Sequence, residues 1–180
     1  MQQAKALLTT RHEDETAYAG ELLGLIINRP LTVALDGELG TGKTVFVRGA
    51  AKGLGVKRET VASPTFVLLK IYSGRLNVYH FDFYRLSSED DFLELGFEEY
   101  LPGDGAAFVE WAGRLPELLP PEHLQVVLEA FEDHQGQGRR IWFLPHGKAA
   151  RQVVDQLFKA LAWKTDGSLY QQKPRDILLK

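Results

Sequence analysis

The sequence predicts an α/β fold: a mixed sheet, partly parallel, with antiparallel hairpins and with helices on both faces. Three observations predict it. A short apolar, β-branched run, Leu31-Thr-Val-Ala-Leu35, leads into a glycine-rich turn and then a segment of helical periodicity. A second apolar run, Ala106-Ala-Phe-Val-Glu110, has the character of a buried strand and ends in an acid. Two further pairs of strand-like runs are joined by short glycine-containing connections, as hairpins are. Strands alternating with helices favour parallel pairing, whereas hairpins are antiparallel.

Each element follows from its residues. Thr10-Arg-His-Glu13 has capping-box spacing, with a hydroxyl and a carboxylate three residues apart to satisfy free amides at a helix start. The helix it opens runs to about Ile27, where Asn28-Arg29-Pro30 breaks it. Thr44 to Leu54 places Val45, Val47, Ala50, Ala51 and Leu54 on an apolar helical face, and Gly55 is a natural stop. Thr65 to Tyr72 and Leu76 to Phe81 read as a hairpin around Ser73-Gly74-Arg75. Ser88 to Leu95 is helical and Gly96 ends it. Prolines 116, 120 and 121 punctuate a loop. Leu124 to Phe131 and Arg139 to Leu144 form a last hairpin around His134-Gln-Gly-Gln-Gly138. Lys148 to Trp163 is an amphipathic helix. No internal repeat or low-complexity segment interrupts this order.

The 180 residues suit one domain with a sizeable core, and 44% hydrophobic with 25% charged residues is an ordinary globular balance. Without cysteine, disulfides, thiolate metal sites and cysteine nucleophiles are excluded, and a reducing, cytoplasmic setting is expected. The N-terminal residues lack a signal-peptide core, and Leu22 to Ile27 is too short to span a bilayer, so no membrane is expected. The net charge of −3 divides into −7 over residues 1–147 and +4 over 148–180. An acidic stretch without a base runs from Ser87 to Gly105. Solvated faces account for both runs, while the basic tail offers an alternative contact with nucleic acid or an acidic partner.

Gly37-Glu38-Leu39-Gly40-Thr41-Gly42-Lys43-Thr44 satisfies G-x-x-x-x-G-K-[ST] at every fixed position, between a predicted strand and a predicted helix. This is the phosphate-binding loop. Its glycines let the backbone amides and the helix N-terminus face phosphate, Lys43 meets the β and γ oxygens, and the Thr44 hydroxyl binds magnesium. Such a loop needs an acid at the end of a neighbouring strand for the magnesium shell. Glu110, after Ala106 to Val109, and Asp82, after Val78 to Phe81, both stand there. His80 alternates with them and is readily a locally bonded strand residue; Arg85 has phosphate or the acidic helix as partner. Residues 1–147 then form the P-loop domain, a P-loop NTPase-like mixed sheet, with 148–180 packed on it as helix and tail.

Asp36 to Thr44, Ser63-Pro-Thr-Phe66, Tyr79-His-Phe-Asp82-Phe-Tyr-Arg85-Leu86, Glu94-Leu-Gly96 with Glu99-Tyr100, and Val109-Glu110-Trp111 occur in one order and spacing. Together they resemble the TsaE (formerly YjeE) family, bacterial ATPases needed for threonylcarbamoyladenosine synthesis on tRNA, over roughly residues 10–145. The resemblance implies that ATP phosphates bind Lys43 and the loop amides, and that Thr44 and Glu110 hold Mg2+. It implies that Asp82 assists hydrolysis, with Lys43, Asp82 and Glu110 the catalytic set. Ser63 and Thr65 then lie in a switch segment that senses the γ-phosphate. Trp111 follows the metal-shell acid as in the family, a core role being the alternative. Thr41 stands where the family pattern has alanine, and backbone phosphate contacts should be indifferent to it. The implied partners are the TsaD and TsaB proteins, with tRNA touched indirectly or weakly.

Three functions follow from the same loop. One is an ATPase that drives a partner cycle, with weak hydrolysis alone because no arginine is evidently poised on the loop; Arg48, Arg85 and Arg114 are the candidates. A small-molecule kinase needs an arginine-rich lid, where residues 87–105 are acidic instead. A nucleotide-gated binding module needs occupancy but no hydrolysis. A GTPase is disfavoured, since no Asn-Lys-x-Asp occurs and Asp133 to Gly136 falls in a hairpin turn. The Thr10 to Glu13 segment is the candidate for base contacts.

Overall fold

In a computed structural model, which describes residues 6–57, 61–101 and 103–164, the chain order is as follows. β1 is Ala6–Thr10, α1 Glu13–Ile26, β2 Leu31–Asp36, α2 Lys43–Gly53, β3 Leu69–Tyr72 and β4 Val78–Asp82. α3 is Glu89–Glu94, β5 Ala106–Glu110, β6 His123–Asp133, β7 Gly136–His146 and α4 Gly147–Lys164. The strands make one sheet in the order β1-β7-β6-β2-β5-β4-β3. Its centre, β6-β2-β5-β4, is parallel, and both edges are antiparallel. The fold class read from the sequence is the one observed.

The central strands are apolar at nearly every position because both sheet faces are covered. Leu31, Val33, Leu35, Phe108, Leu124, Val126 and Phe143 point to a core shared with α1, α2 and α4. Ala34, Tyr79, Phe81, Ala107 and Val109 point to a second core with Phe83, Phe92 and Leu115. Helices do lie on both faces, unequally: three long ones on one side, and on the other the short α3 with 3-10 turns at Phe83–Arg85, Ala112–Arg114 and Pro116–Leu118.

α1 and α2 meet through four glycines. A Cβ added at Gly20 would lie 2.1 Å from the Phe46 carbonyl oxygen, and one at Gly24 2.0 Å from that of Ala50. In return, a Cβ at Gly49 would lie 1.9 Å from the Ala17 oxygen and one at Gly53 2.1 Å from the Glu21 oxygen. The i, i+4 spacing on each helix makes a flat, side-chain-free strip, so the two backbones touch. This contact seats the helix that begins at Lys43.

Several boundaries differ from the sequence reading. Thr10 is no helix cap: it ends β1, an edge strand paired with β7, and its hydroxyl bonds that of Thr16 at 2.8 Å. The N-cap is His12, and the acid that reaches back is Glu15, accepting from the Arg11 amide at 2.6 Å. β1 was not foreseen, because a five-residue edge strand carries little periodic signal. Thr65 to Leu68 is a turn rather than strand, closed by the Val67 and Leu68 amides on the Pro64 oxygen. The last hairpin is longer than read and turns tightly at His134-Gln135, since Asp133 pairs with Gly136. Its outer half runs past the neighbouring strand, so β6 is largely exposed there and the buried–exposed alternation fades. α4 buries Ala150, Val153, Val154 and Leu157 against the first core. The basic tail beyond it, with Lys173, Arg175 and Lys180, lies outside the described residues.

Candidate functional site

Parallel strands end together, and what ends them here is chemically loaded. β2 finishes at Asp36 and passes into the glycine loop. β5 finishes at Glu110, and β4 finishes beside it, with Asp82 in register with Glu110. Such a crevice at the carboxyl ends of parallel strands is where α/β proteins bind ligands.

The loop's conformation requires its glycines. Gly37 has φ 138°, and a Cβ there would strike the Leu128 carbonyl oxygen; Gly42, the N-cap of α2, has φ 101°. Only glycine enters that region freely. Among the described residues α2 has no side-chain cap and no acid in its first turn, leaving its N-terminus open to an anion. Thr41 turns inward and donates to the Glu38 oxygen at 2.9 Å, so threonine at this position braces the loop. Leu39 stands at the tip, 86% exposed.

Lys43 is buried with its ammonium turned on its own loop, donating to the oxygens of Gly37 at 2.7 Å and Glu38 at 2.9 Å. The face of Trp111 covers it at 3.8 Å. Trp111 reaches that place through left-handed backbone, φ 60° and ψ 34°, unusual for a bulky residue. Burial lowers the Lys43 pKa from its ordinary value, while Glu110, Asp82 and Asp36 act in the opposite sense.

The Thr44 hydroxyl donates to the Glu110 carboxylate, 2.8 Å from Oε1 and 3.0 Å from Oε2. On the other side, Oε1 is 2.8 Å from His80 Nε2. Asp82 is buried and accepts from Thr65 Oγ1 at 2.6 Å and Ser63 Oγ at 3.2 Å through Oδ2, and from the Tyr84 amide through Oδ1. Thus Lys43, Thr44, Glu110 and Trp111 form one cluster, and Asp82 of the adjoining strand forms another with Ser63 and Thr65 of the loop before β3. The arginine candidates are engaged elsewhere. Arg48 pairs with Glu13, Arg114 donates to the Leu86 oxygen, and Arg85 lies over Phe66 rather than the acidic helix.

Sequence reasoning passed over Asp36. Its Oδ1 accepts from the Gly113 amide at 2.7 Å and its Oδ2 from Gln125 Nε2 at 3.1 Å, tying the loop's root to the turn after Glu110 and to β6. An acid as the last strand residue before the loop was the available signal. Of the base-contact candidate, Thr10 to Glu13, Thr10 is buried in β1, Arg11 pairs with Asp133 and Glu13 with Arg48.

The donor set suits a magnesium–triphosphate group. Lys43 and an uncapped helix N-terminus offer positive ends, and Thr44 with Glu110 offers the two oxygen ligands of a hydrated ion. No group of three or more His, Cys, Asp or Glu that could hold a metal ion occurs among the described residues. No helix among them is long and apolar enough to cross a membrane.

The chain is similar to known proteins along most of its length. The family model described as "Threonylcarbamoyl adenosine biosynthesis protein TsaE" matches residues 10–141. The tRNA threonylcarbamoyladenosine biosynthesis protein TsaE of Treponema pallidum is 40% identical, over 69% of this chain and 91% of that protein. That of Bacillus subtilis is 38% identical over 82% and 90%. The crystal structure of Bacillus subtilis YdiB superposes with a TM-score of 0.75 at 33% identity, covering 89% of this chain and 98% of that one.

Proposed function

Because this chain belongs to the TsaE family of tRNA threonylcarbamoyladenosine biosynthesis proteins, we propose that it is a P-loop ATPase whose nucleotide cycle drives the TsaD–TsaB transferase. The observation that carries the reading is the Thr44–Glu110 pair beside Lys43, at the open N-terminus of α2. Lys43 leaves its two loop carbonyls for phosphate oxygens, and the loop amides take the rest. Thr44 and Glu110 would hold a magnesium ion, which would supply positive charge beside the phosphates. Asp82, whose carboxylate is held by three donors, orients the attacking water and accepts its proton.

Ser63 and Thr65 serve as the switch. In the described state their hydroxyls satisfy Asp82, and a γ-phosphate competes for the same hydroxyls. A change there moves Phe66 and Val67, which are 87% and 55% exposed, so nucleotide state alters an apolar surface that a partner reads. With Leu39 at the loop tip and Trp111 over Lys43, apolar groups border the site, as a docking partner requires. Hydrolysis by the chain alone is slow, since Arg48, Arg85 and Arg114 are each committed elsewhere. Residues 1–147 carry this activity with α4 packed on them, and tRNA and ATP place the work in the cytoplasm. Direct tRNA contact through residues 148–180 would be weak and would fall steeply with salt.

The test is ATP hydrolysis with and without TsaB and TsaD, comparing wild type with Lys43→Ala, Asp82→Ala and Glu110→Ala. Partner stimulation abolished by all three changes supports the ATPase. ATP-dependent partner binding without stimulated hydrolysis makes the chain a nucleotide-gated module, and phosphoryl transfer to a small acceptor makes it a kinase.

A further inference from the structure

His80 is fully buried on β4, in register with Phe108 of β5 and Lys70 of β3. Its Nε2 is 2.8 Å from Glu110 Oε1, and its Nδ1 has no hydrogen-bond partner among the described residues. An ionised carboxylate only accepts, so Nε2 carries the proton. In the neutral ring Nδ1 is then a buried acceptor left unpaired, which is destabilising. A phenylalanine here would bury similar area without that orphan. The ring thus carries an orphaned nitrogen that an apolar side chain would not, and the contact with Glu110 is the return the geometry offers for it.

That contact is directional. Glu110 Oε1 receives two donors, Thr44 Oγ1 and His80 Nε2, both at 2.8 Å. Thr44 sits on α2 and can swing about its χ1, whereas His80 is fixed by a central strand and full burial. Outer partners of this kind fix the plane of a ligating carboxylate.

We propose that His80 is a positioning residue: its Nε2–H holds the Glu110 carboxylate in the orientation from which, beside Thr44, it serves a magnesium ion. This rests on the magnesium–nucleotide reading above. The experiment is binding of mant-ADP, followed by fluorescence as Mg2+ rises from an EDTA baseline, in wild type, His80→Gln and His80→Phe. Each is also made in a Glu110→Gln background. His80→Phe is expected to raise the Mg2+ midpoint about tenfold, the usual scale for losing an outer-shell partner, and to leave EDTA affinity unchanged. His80→Gln, whose amide can donate from a similar place, keeps a midpoint near wild type. With Glu110→Gln already present, His80→Phe adds nothing.

A wild-type midpoint in His80→Phe overturns the proposal. So does a shift that persists without the Glu110 carboxylate, or a fall in EDTA affinity or folding shared by both variants, which would make His80 a packing residue. If wild-type binding ignores Mg2+ altogether, it is the underlying magnesium–nucleotide reading that fails.

Discussion

Gly24→Ala tests whether backbone contact between α1 and α2 holds the loop in place. The new Cβ would lie 2.0 Å from the Ala50 oxygen and 2.9 Å from its carbonyl carbon, where ordinary contact begins at 3.4 Å, so the helices must part by about 1.4 Å. Two effects oppose each other. Alanine is the better helix former by about 1 kcal/mol. Overpacking a tight contact typically costs 1–3 kcal/mol, and a backbone atom that cannot rotate away puts this site at about 3 kcal/mol. The net is a loss of about 2 kcal/mol, which in a chain of this size lowers Tm by about 4–8 °C. Nucleotide affinity should fall as well, because α2 begins at Lys43 and misplacements near 1 Å are costly at such sites. Thermal and urea unfolding by circular dichroism, with mant-ADP binding, measure both. An unchanged or raised Tm would refute the reasoning, since propensity would then outweigh contact.

Two further expectations concern charge. Burial lowers the Lys43 pKa below 10.5, and only the ammonium form attracts phosphate. Nucleotide affinity should therefore decline on the alkaline side starting below pH 10.5, and Lys43→Arg should remove that decline; a flat profile in wild type would sink the idea. Asp133, held by Arg11 in a two-pronged ion pair and by the Gln135 amide, has its pKa lowered from 3.8 to about 2. A carboxyl whose folded pKa is depressed adds stability above its unfolded value, lost as pH falls through the folded one. The stability gap between wild type and Asp133→Asn should thus be present at neutral pH, shrink between pH 4 and 2, and narrow with salt. Melting curves across that range check it, and a gap that survives at pH 2 would point to packing instead.

The readable parts of this protein were those with local signals. Leu31 to Leu35 shows as a strand because a strand covered on both faces is apolar at every position, and α2 shows because its apolar residues recur at helical spacing. The loop shows because phosphate binding forces glycine, lysine and threonine into fixed positions in one short segment. Glu110 and Asp82 were visible as acids ending apolar runs, though nothing local said that they would be neighbours. Parallel pairing of β4 with β5 does that, joining two positions 28 apart in the sequence.

Other features were decided by contacts between segments far apart in the sequence. Thr10 looked like a helix cap from its spacing to Glu13, but pairing with β7, more than a hundred residues on, took its backbone into the sheet. Asp36, His80 and Trp111 drew their roles from partners remote in sequence: Gly113 and Gln125, Glu110, and Lys43. The four helix glycines become a contact surface only where the two helices meet. By itself, then, the sequence determined the α/β class, the order of most elements and the phosphate loop, since periodicity and turn chemistry act within a few residues. Tertiary structure alone decided which acid meets Thr44, what covers Lys43, and how closely α1 seats the loop helix. Those depend on distances between segments that only the closed sheet brings together.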